Sequence, residues 1–383
     1  MRGNPLGPIS FASAAPLIGL DIGTDHVRAA QLKSTNAGFL LSAYGRVNMP
    51  LGAVVEGEIV DTDAVAGAIR ELWKRSGVKG RDVSIGVSNQ KVVVRLVDLP
   101  FMERAELEGA IQYQAQDYIP IPVDDAILDF HILGDYMTPS DEHMMEVLLV
   151  AAQRDMVSAA VTAVESAGLK LGQIDVTAFA LVRGLFGPIE RVLPDEIDEG
   201  GEAVGVIHVS SGLTNIAVVE KGVPRFTRVS SLAGNQLTQA VANVLNITFD
   251  EAEEIKIRVG LPSPDGTPSA APDVASLNPQ TVLIAQDALE REVNKFIAEV
   301  RRSLDYYLTQ ATQVRTIKRI YMTGSGAQLL NLVGHLERGL QAQVLLADAL
   351  SRVQAATPAV EQAVLADRMG CTAAIGLAMS GGA

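Results

Sequence analysis

The chain is poor in several things. A single cysteine, Cys371, stands in 383 residues. It excludes an internal disulfide framework and a zinc cage built from cysteines. The five histidines, at 26, 131, 143, 208 and 335, show neither H-x-x-x-H nor H-E-x-x-H spacing. A metal held mainly by protein ligands is therefore disfavoured. No apolar run reaches the ~20 residues that a membrane helix needs, so direct membrane insertion is not expected. Basic runs are missing too: 31 Lys and Arg stand against 45 Asp and Glu, a net charge of −14. A groove for nucleic acid needs clustered cations to displace counterions, so no nucleic-acid partner is expected.

What remains is ordinary globular chemistry. Hydrophobic residues make up 48% and charged residues 20%, enough apolar material to bury cores. At roughly 100–200 residues per domain, two or three domains are expected. The opening MRGNPLGPISFASAAP imitates a signal-peptidase site at ASAA. Pro5, Gly7 and Pro8 interrupt the apolar core that a signal peptide requires. Residues 1–16 read as a disordered tail, and the protein as cytoplasmic.

From Ile18 the chain alternates strands and helices, the pattern of an α/β protein. Ile18–Asp21 and Val27–Leu32 read as strands around the turn GTDH, and Phe39–Val47 as a third. DTDAVAGAIRELWKRSG carries an apolar stripe at 65, 68, 69, 72 and 73. Asp61 or Asp63 caps this helix and Gly77 ends it. RDVSIGVS and KVVVRLVDLP follow as strands. Residues 100–170 then read as helix, two strands and helix, and LGQIDVTAFALVRGLFG as strand plus helix. After the acidic linker PIERVLPDEIDEGGE, a strand–turn–strand pattern restarts at Val204. The restart indicates an internal duplication with a period of about 185 residues, hence two similar lobes. Residues 238–258 read as helical, 261–282 as a mobile Pro/Ser/Ala-rich loop, and DALEREVNKFIAEVRRSLDYYLTQ as a long helix. KRIYMTGSGAQLLNLVGHLERGL reads as strand, glycine turn and helix. ADRMGCTAAIGLAM reads as a last helix, rich in small residues.

Three motifs bear on function. DIGTDHVR places Gly23 and Thr24 in a turn that fits either a plain hairpin or a nest of backbone N–H groups for phosphate, with Asp21 beside it. GSGAQLLN puts two glycines between a strand and a helix, where a nucleotide can approach the backbone closely. In EAEEIKIRVG, Glu253 and Lys256 share a helix face, for a surface salt bridge or for a nucleoside.

The ordered set DIGTDHVR, a second strand–turn–strand GVIHVSSGLTN, AEEIK, RRSLDYY and GSGAQLL resembles the actin-like ATPase superfold. That superfold includes sugar kinases, heat-shock ATPases and the division protein FtsA. Within it, the stretch LPFMERAELEGAIQYQAQDYIPIPVDDAILDFHIL is similar to the small inserted subdomain of the PilM-type family of type IV pilus assembly proteins. The likeness covers residues 17–380. It implies duplicated ribonuclease-H-like lobes with a small α+β subdomain inserted in the first. The first lobe is then expected at 17–95 and 171–190 and the inserted, partner-binding subdomain at 96–170. The second lobe's core is expected at 203–237 and 311–383, and a helical nucleotide-side subdomain at 238–310.

The resemblance also implies ATP or ADP with Mg²⁺ as ligands. Asp21, Gly23 and Thr24 match a first phosphate turn, with Asp21 holding Mg²⁺ through water. Ser210, Ser211, Gly212 and Thr214 match a second. Gly234 and Asn235 fall where relatives carry a Gly-Gly pair, whose first member is Ala233 here. Glu253 and Lys256 match ribose and adenine contacts, and Gly324, Ser325 and Gly326 the adenosine turn. Asp175 matches an acidic position between lobes that helps order Mg²⁺ or water. His208 and Ser210 stand where relatives carry Asp and Gly. Hydrolysis depends on that charge placement, so the expectation is nucleotide binding with at most weak ATPase activity.

The implied role is a cytoplasmic scaffold at the inner face of the cell membrane. It would bind the N-terminal peptide of a PilN-type inner-membrane protein in a groove by Tyr113, Tyr118, Ile119, Ile121 and Phe130. The same residues also suit the subdomain's own core. Other pilus assembly proteins are further implied partners, and self-association stays open. The alternatives are an active ATPase or an FtsA-like division protein. The ending AAIGLAMSGGA has none of the basic, apolar amphipathic helix expected of the latter.

Overall fold

The computed structural model describes residues 18–187, 203–264, 276–311 and 316–381. The expected tail at 1–16, the acidic linker and half of the expected loop at 261–282 lie outside the described residues.

The chain opens with the meander β1 (Ile18–Ile22), β2 (His26–Thr35) and β3 (Gly38–Asn48), followed by a two-stranded ribbon, β4 (Val54–Val55) and β5 (Glu58–Ile59). Helix α1 (Thr62–Ser76) starts where Asp61 accepts from the Ala64 N–H and stops at Gly77, in the left-handed region at φ 70°. Both ends follow from local chemistry alone. Strands β6 (Asp82–Val87) and β7 (Val92–Pro100), helix α2 (Arg104–Ala115), strands β8 (Ala126–Met137) and β9 (His143–Gln153) and helix α3 (Arg154–Ser166) come next. β10 (Lys170–Val176) and α4 (Thr177–Phe186) complete the first half.

The second half repeats the meander as β11 (Ala203–Val209), β12 (Thr214–Glu220) and β13 (Val223–Ser230). Helices α5 (Gly234–Leu245), α6 (Phe249–Val259) and α7 (Pro279–Gln310) follow, then β14 (Ile317–Thr323), α8 (Leu332–Leu340), β15 (Gln343–Leu346) and β16 (Val353–Ala355). Helices α9 (Pro358–Leu365) and α10 (Thr372–Ala378) close the chain.

Two mixed sheets result. The first runs β10-β6-β1-β2-β3-β16 and the second β13-β12-β11-β14-β15. In both, an antiparallel meander joins parallel strands that follow helices. Alternation along β2 explains the first lobe's two cores. Val27 and Ala29 face α1 and α3, while Ala30 and Leu32 face α10. The second lobe buries Ile207, Val209, Ile216 and Val218 against α5, α6, α7 and α8.

The inserted unit is the three-stranded sheet β7-β9-β8. One face packs on α2 through Leu107 and Ile111. The other carries Val94, Leu148 and Val150 against Val176 and Phe179 of the first lobe.

Several expected boundaries move. α3 falls in the stretch expected for the inserted unit, but Val157, Ala163 and Val164 share a core with α1. The stretch 311–383 is expected in the second lobe, yet β16 pairs with β3 and α10 packs on the first lobe. Small residues allow this return: a Cβ on Gly376 would overlap the Ala180 carbonyl of α4. The helical stretch 238–258 is broken at Asn246, which adopts φ 52°, and Thr248 with Glu251 caps the second piece. α7 begins at Pro279, capped by Asn278, so 279–282 is helix rather than loop. The last helix is confined to Thr372–Ala378. α2 stops at Ala115, before Pro120.

Candidate functional site

The two meander turns meet at the cleft between the lobes. In the first, the Gly23 N–H bonds the His26 carbonyl at 2.9 Å and closes the turn behind Asp21. In the second, Ser210 Oγ donates to the Leu213 carbonyl at 2.8 Å. The turns touch at Gly212, where any Cβ would overlap Thr24 Oγ1. Glycine is thus required there by the approach of the other lobe.

The second turn is tied to α5. The Gly234 N–H bonds the Ser210 carbonyl at 3.0 Å and the Asn235 N–H the Ser211 carbonyl at 2.7 Å. Thr214 is fully buried and donates to the Leu232 carbonyl at 2.7 Å, so it braces the turn from behind. Gly324, at φ 94°, donates its N–H to the Met369 carbonyl at 3.0 Å. A Cβ there would overlap the Val209 carbonyl, so glycine lets the β14 turn close against β11.

Two adjoining cavities line this seam. The outer one, of about 280 Å³, is walled by Ser211, Gly234, Asn235, Glu253, Lys256 and Gly326. The inner one is walled by Asp21, Gly23, Thr24, Arg28, Ser88, His208 and Asn215. Asp25, Ser210 and Ser325 border both. The structure therefore brings most of the expected nucleotide residues onto one continuous groove. Gly212, Thr214 and Gly324 shape the groove without lining it.

Lys256 is buried. Its Nζ lies 2.7 Å from Glu253 and donates to Thr238 Oγ1 at 2.9 Å. Thr238 in turn donates to Glu253. The Glu253–Lys256 pair is thus a tethered element of the cavity wall rather than a loose surface bridge.

Asp175 stands elsewhere. It is buried beside α4, its carboxylate paired with Arg183, and it lines neither cavity. The expected role in ordering Mg²⁺ or water is not matched by this position, because the guanidinium already occupies the carboxylate.

The electrostatics of the inner cavity centre on Arg28, which no motif in the sequence singles out. Its Nε donates to Asp367 at 2.7 Å, and Asp367 also accepts from Tyr44 at 2.6 Å and Arg46 at 3.0 Å. Burial alone would raise the Asp367 pKa, but Arg28, with its hydrogen bond, outweighs that and holds it low. Arg28 Nη1 stands 3.9 Å from Asp21, too far for a hydrogen bond. Burial accordingly pushes Asp21 up to about 6 despite that cation. Asp25 experiences burial too, but hydrogen bonds from His26 and Ser211 and the Arg28 charge hold it well below the usual range. His208 is pressed down to about 4 by burial and by Arg28, so it is uncharged at neutral pH. A signal for Arg28 was present: one cation inside the apolar strand HVRAAQL. Its partner lies 339 residues away, beyond any local pattern.

Two carboxylates, Asp21 and Asp25, face the inner cavity. Among the described residues no group of three His, Cys, Asp or Glu side chains is arranged to hold a metal. Ser88 of the first lobe donates to Asn215 of the second at 2.7 Å and stitches the two together at the inner end.

In the inserted unit, Ile119 and Phe130 are buried in its core and Ile121 packs against them. Tyr113 and Tyr118 are 76% and 38% exposed, so these two of the five expected groove residues are the exposed ones. Among the described residues no helix is long and apolar enough to cross a membrane.

Comparison with known proteins agrees with this architecture. A family model described as type IV pilus assembly protein PilM matches residues 19–274, and one for cell division protein FtsA matches residues 207–370. FtsA of Pseudomonas aeruginosa is 26% identical over 266 residues, 65% of this chain and 62% of that protein. FtsA of Enterococcus faecalis is 22% identical over 360 residues, 88% of this chain and 79% of that protein. The chain thus spans about three fifths of the length of the first of these relatives. The solved PilM-PilN type IV pilus biogenesis complex superposes with a TM-score of 0.77 at 24% identity, over 98% of this chain and 99% of that one. The ethanolamine utilization protein EutJ of Carboxydothermus hydrogenoformans gives 0.51 at 17% identity, over 98% and 91%. These likenesses show the fold, the two-lobed actin-like one that the sequence suggested. With well over half of its residues matched by that family's model, the chain belongs to the PilM family of type IV pilus assembly proteins.

Proposed function

We propose that this protein is an adenine-nucleotide-binding scaffold of the type IV pilus assembly machine. In this reading it works in the cytoplasm and is recruited to the inner face of the membrane by the N-terminal peptide of a PilN-type inner-membrane protein. The observation that carries the nucleotide part is the continuous groove between the lobes. It is bordered by both meander turns, by the glycine turn after β14 and by the tethered Lys256–Glu253 pair. Lys256 and Glu253 would contact the adenosine, and the Ser210–Ser211 turn the phosphates. The Asp21 carboxylate accepts no hydrogen bond from the described residues and borders the groove, which suits a hydrated Mg²⁺ on the phosphates. Such an ion, when bound, would neutralise phosphate charge.

Turnover is expected to be slow. His208 stands in the second turn where an acid would help orient water, and a neutral imidazole lacks that charge. The partner peptide is expected on the inserted unit near Tyr113 and Tyr118. Nucleotide binding would then act by changing the angle between the lobes, and so the affinity for the partner.

Calorimetry with Mg-ATP and Mg-ADP on the wild type and on Lys256→Ala tests the nucleotide part. Binding that weakens at least about tenfold in the variant supports it. Absence of binding at millimolar nucleotide sinks it. Titration with the cytoplasmic peptide of the PilN-type partner, on wild type and Tyr113→Ala, tests the scaffold part independently.

A further inference from the structure

Resting on the reading of this protein as one that works at the inner face of the membrane, we propose that the end of the first lobe remote from the cleft is a docking surface for an anionic phospholipid bilayer.

Strands β1, β6 and β10 run parallel, and their C-terminal ends point toward the cleft, where Ile22 and Gly86 line the inner cavity. Their opposite ends form the far edge of the sheet. Three separate segments bring cations to that edge. Lys74 and Arg75 stand in the last turn of α1, Lys79 and Arg81 in the connection to β6, and Lys170 at the start of β10. All five are exposed.

Long-range bonds hold these segments together. Gln31 of β2 bonds both the N–H and the carbonyl of Lys79, at 2.9 and 2.5 Å. Trp73 Nε1 donates to the Gly80 carbonyl at 3.0 Å, and the Lys170 N–H to the Arg81 carbonyl at 2.7 Å. The cations thus stand on fixed main chain, so their joint use costs little ordering of the backbone.

Their counter-charges fall short. Glu71 pairs with Arg75 at 2.5 Å and Asp82 with Lys170 at 3.5 Å. Glu165 offsets Arg70, which bonds the adjacent Ser166 carbonyl at 2.9 Å. Among the described residues no carboxylate lies within 4.0 Å of Lys74, Lys79 or Arg81. The helix dipole accounts for cations at the end of α1. It does not account for Lys79, Arg81 and Lys170, which lie beyond the helix. In a chain of net charge −14, this edge carries a local field opposite in sign to the whole.

The arrangement selects a planar anion. The cations sit at segment ends along one edge and line no groove that could track a nucleic-acid strand. Trp73 packs against the lobe's core and does not stand free to stack a base. Each Lys or Arg held near an anionic leaflet adds to the attraction, and such contact inserts no segment. Docked this way, the first lobe would turn its cleft away from the bilayer.

The test is sedimentation with vesicles of phosphatidylglycerol and phosphatidylcholine in about equal parts, and with vesicles of phosphatidylcholine alone. The wild type should bind the anionic vesicles at low salt, ignore the neutral ones, and be released at about 0.5 M salt. Lys79→Glu, Arg81→Glu and Lys170→Glu combined should lower the partition coefficient at least about tenfold, with melting curves to verify folding. Lys79→Gln with Arg81→Gln, a milder change, should lower it at least about threefold. Arg291→Glu, Lys295→Glu and Arg302→Glu combined alter the net charge equally but on α7, and should cost less than about twofold. No binding by the wild type, equal losses in the two triple variants, or binding to duplex DNA as tight as to the anionic vesicles overturns the proposal. Titration of the wild type with the PilN-type peptide separates this from the scaffold reading. Peptide binding without vesicle binding removes the docking surface alone, and absence of both removes both.

Discussion

Replacing Asp21 by Asn should stabilise the free protein, by an amount that depends on pH. The ordinary carboxyl value is 3.8, and burial raises Asp21 to about 6 in the fold, with the Arg28 charge already counted. A raised carboxyl binds its proton more tightly in the folded state, so stability falls as pH rises through that window. The difference amounts to about 3 kcal/mol at pH 7.5, about 1.6 at pH 5 and about 0.5 at pH 4. Asparagine does not ionise, so the variant escapes this cost while keeping the side chain's shape. Urea unfolding at pH 5 and pH 7.5 should show Asp21→Asn more stable at both, with the larger gain at the higher pH. A gain independent of pH, or a loss at pH 7.5, would refute the reasoning. The same substitution is expected to weaken Mg-nucleotide binding. A carboxylate held at a cost in stability is what a functional position looks like.

Asp367→Ala should destabilise by about 3–5 kcal/mol, because it strands the Arg28 guanidinium, whose side chain is 6% exposed. Denaturant unfolding would show it, and a change under about 1 kcal/mol would contradict the buried-pair account. Gly212→Ala forces the first and second turns apart at Thr24 and should lower nucleotide affinity at least about tenfold, measured by calorimetry, with each lobe still folded. Arg225 of the second lobe pairs with Glu146 of the inserted unit, both partly buried. A double-mutant cycle of Arg225→Ala and Glu146→Ala should give a coupling of about 0.2–1 kcal/mol, while a coupling of zero would mean that this contact does not join the two units.

Much of this protein was readable one stretch at a time. Asp61 and Gly77 bounded α1, and the echo between DIGTDHVR and HVSSGLTN located the paired meanders. These features are set by neighbours a few residues apart, where capping, turn chemistry and alternation act. The Lys256–Glu253 pair was visible from helical spacing, although its burial and its tie to Thr238 were not. Missed altogether were the Arg28–Asp367–Tyr44 network and the Ser88–Asn215 stitch, whose members are 127 to 339 residues apart.

Sequence alone therefore determined the local pieces, the duplication and the family, because each rests on short-range spacing or on residues quoted in order. Tertiary structure decided which lobe the chain's last helix joins, that Asp175 is already paired with Arg183, and that His208 is neutral with an unpaired nitrogen. Those outcomes depend on burial and on partners from distant strands. Close packing selects such partners, and no window along the chain contains them.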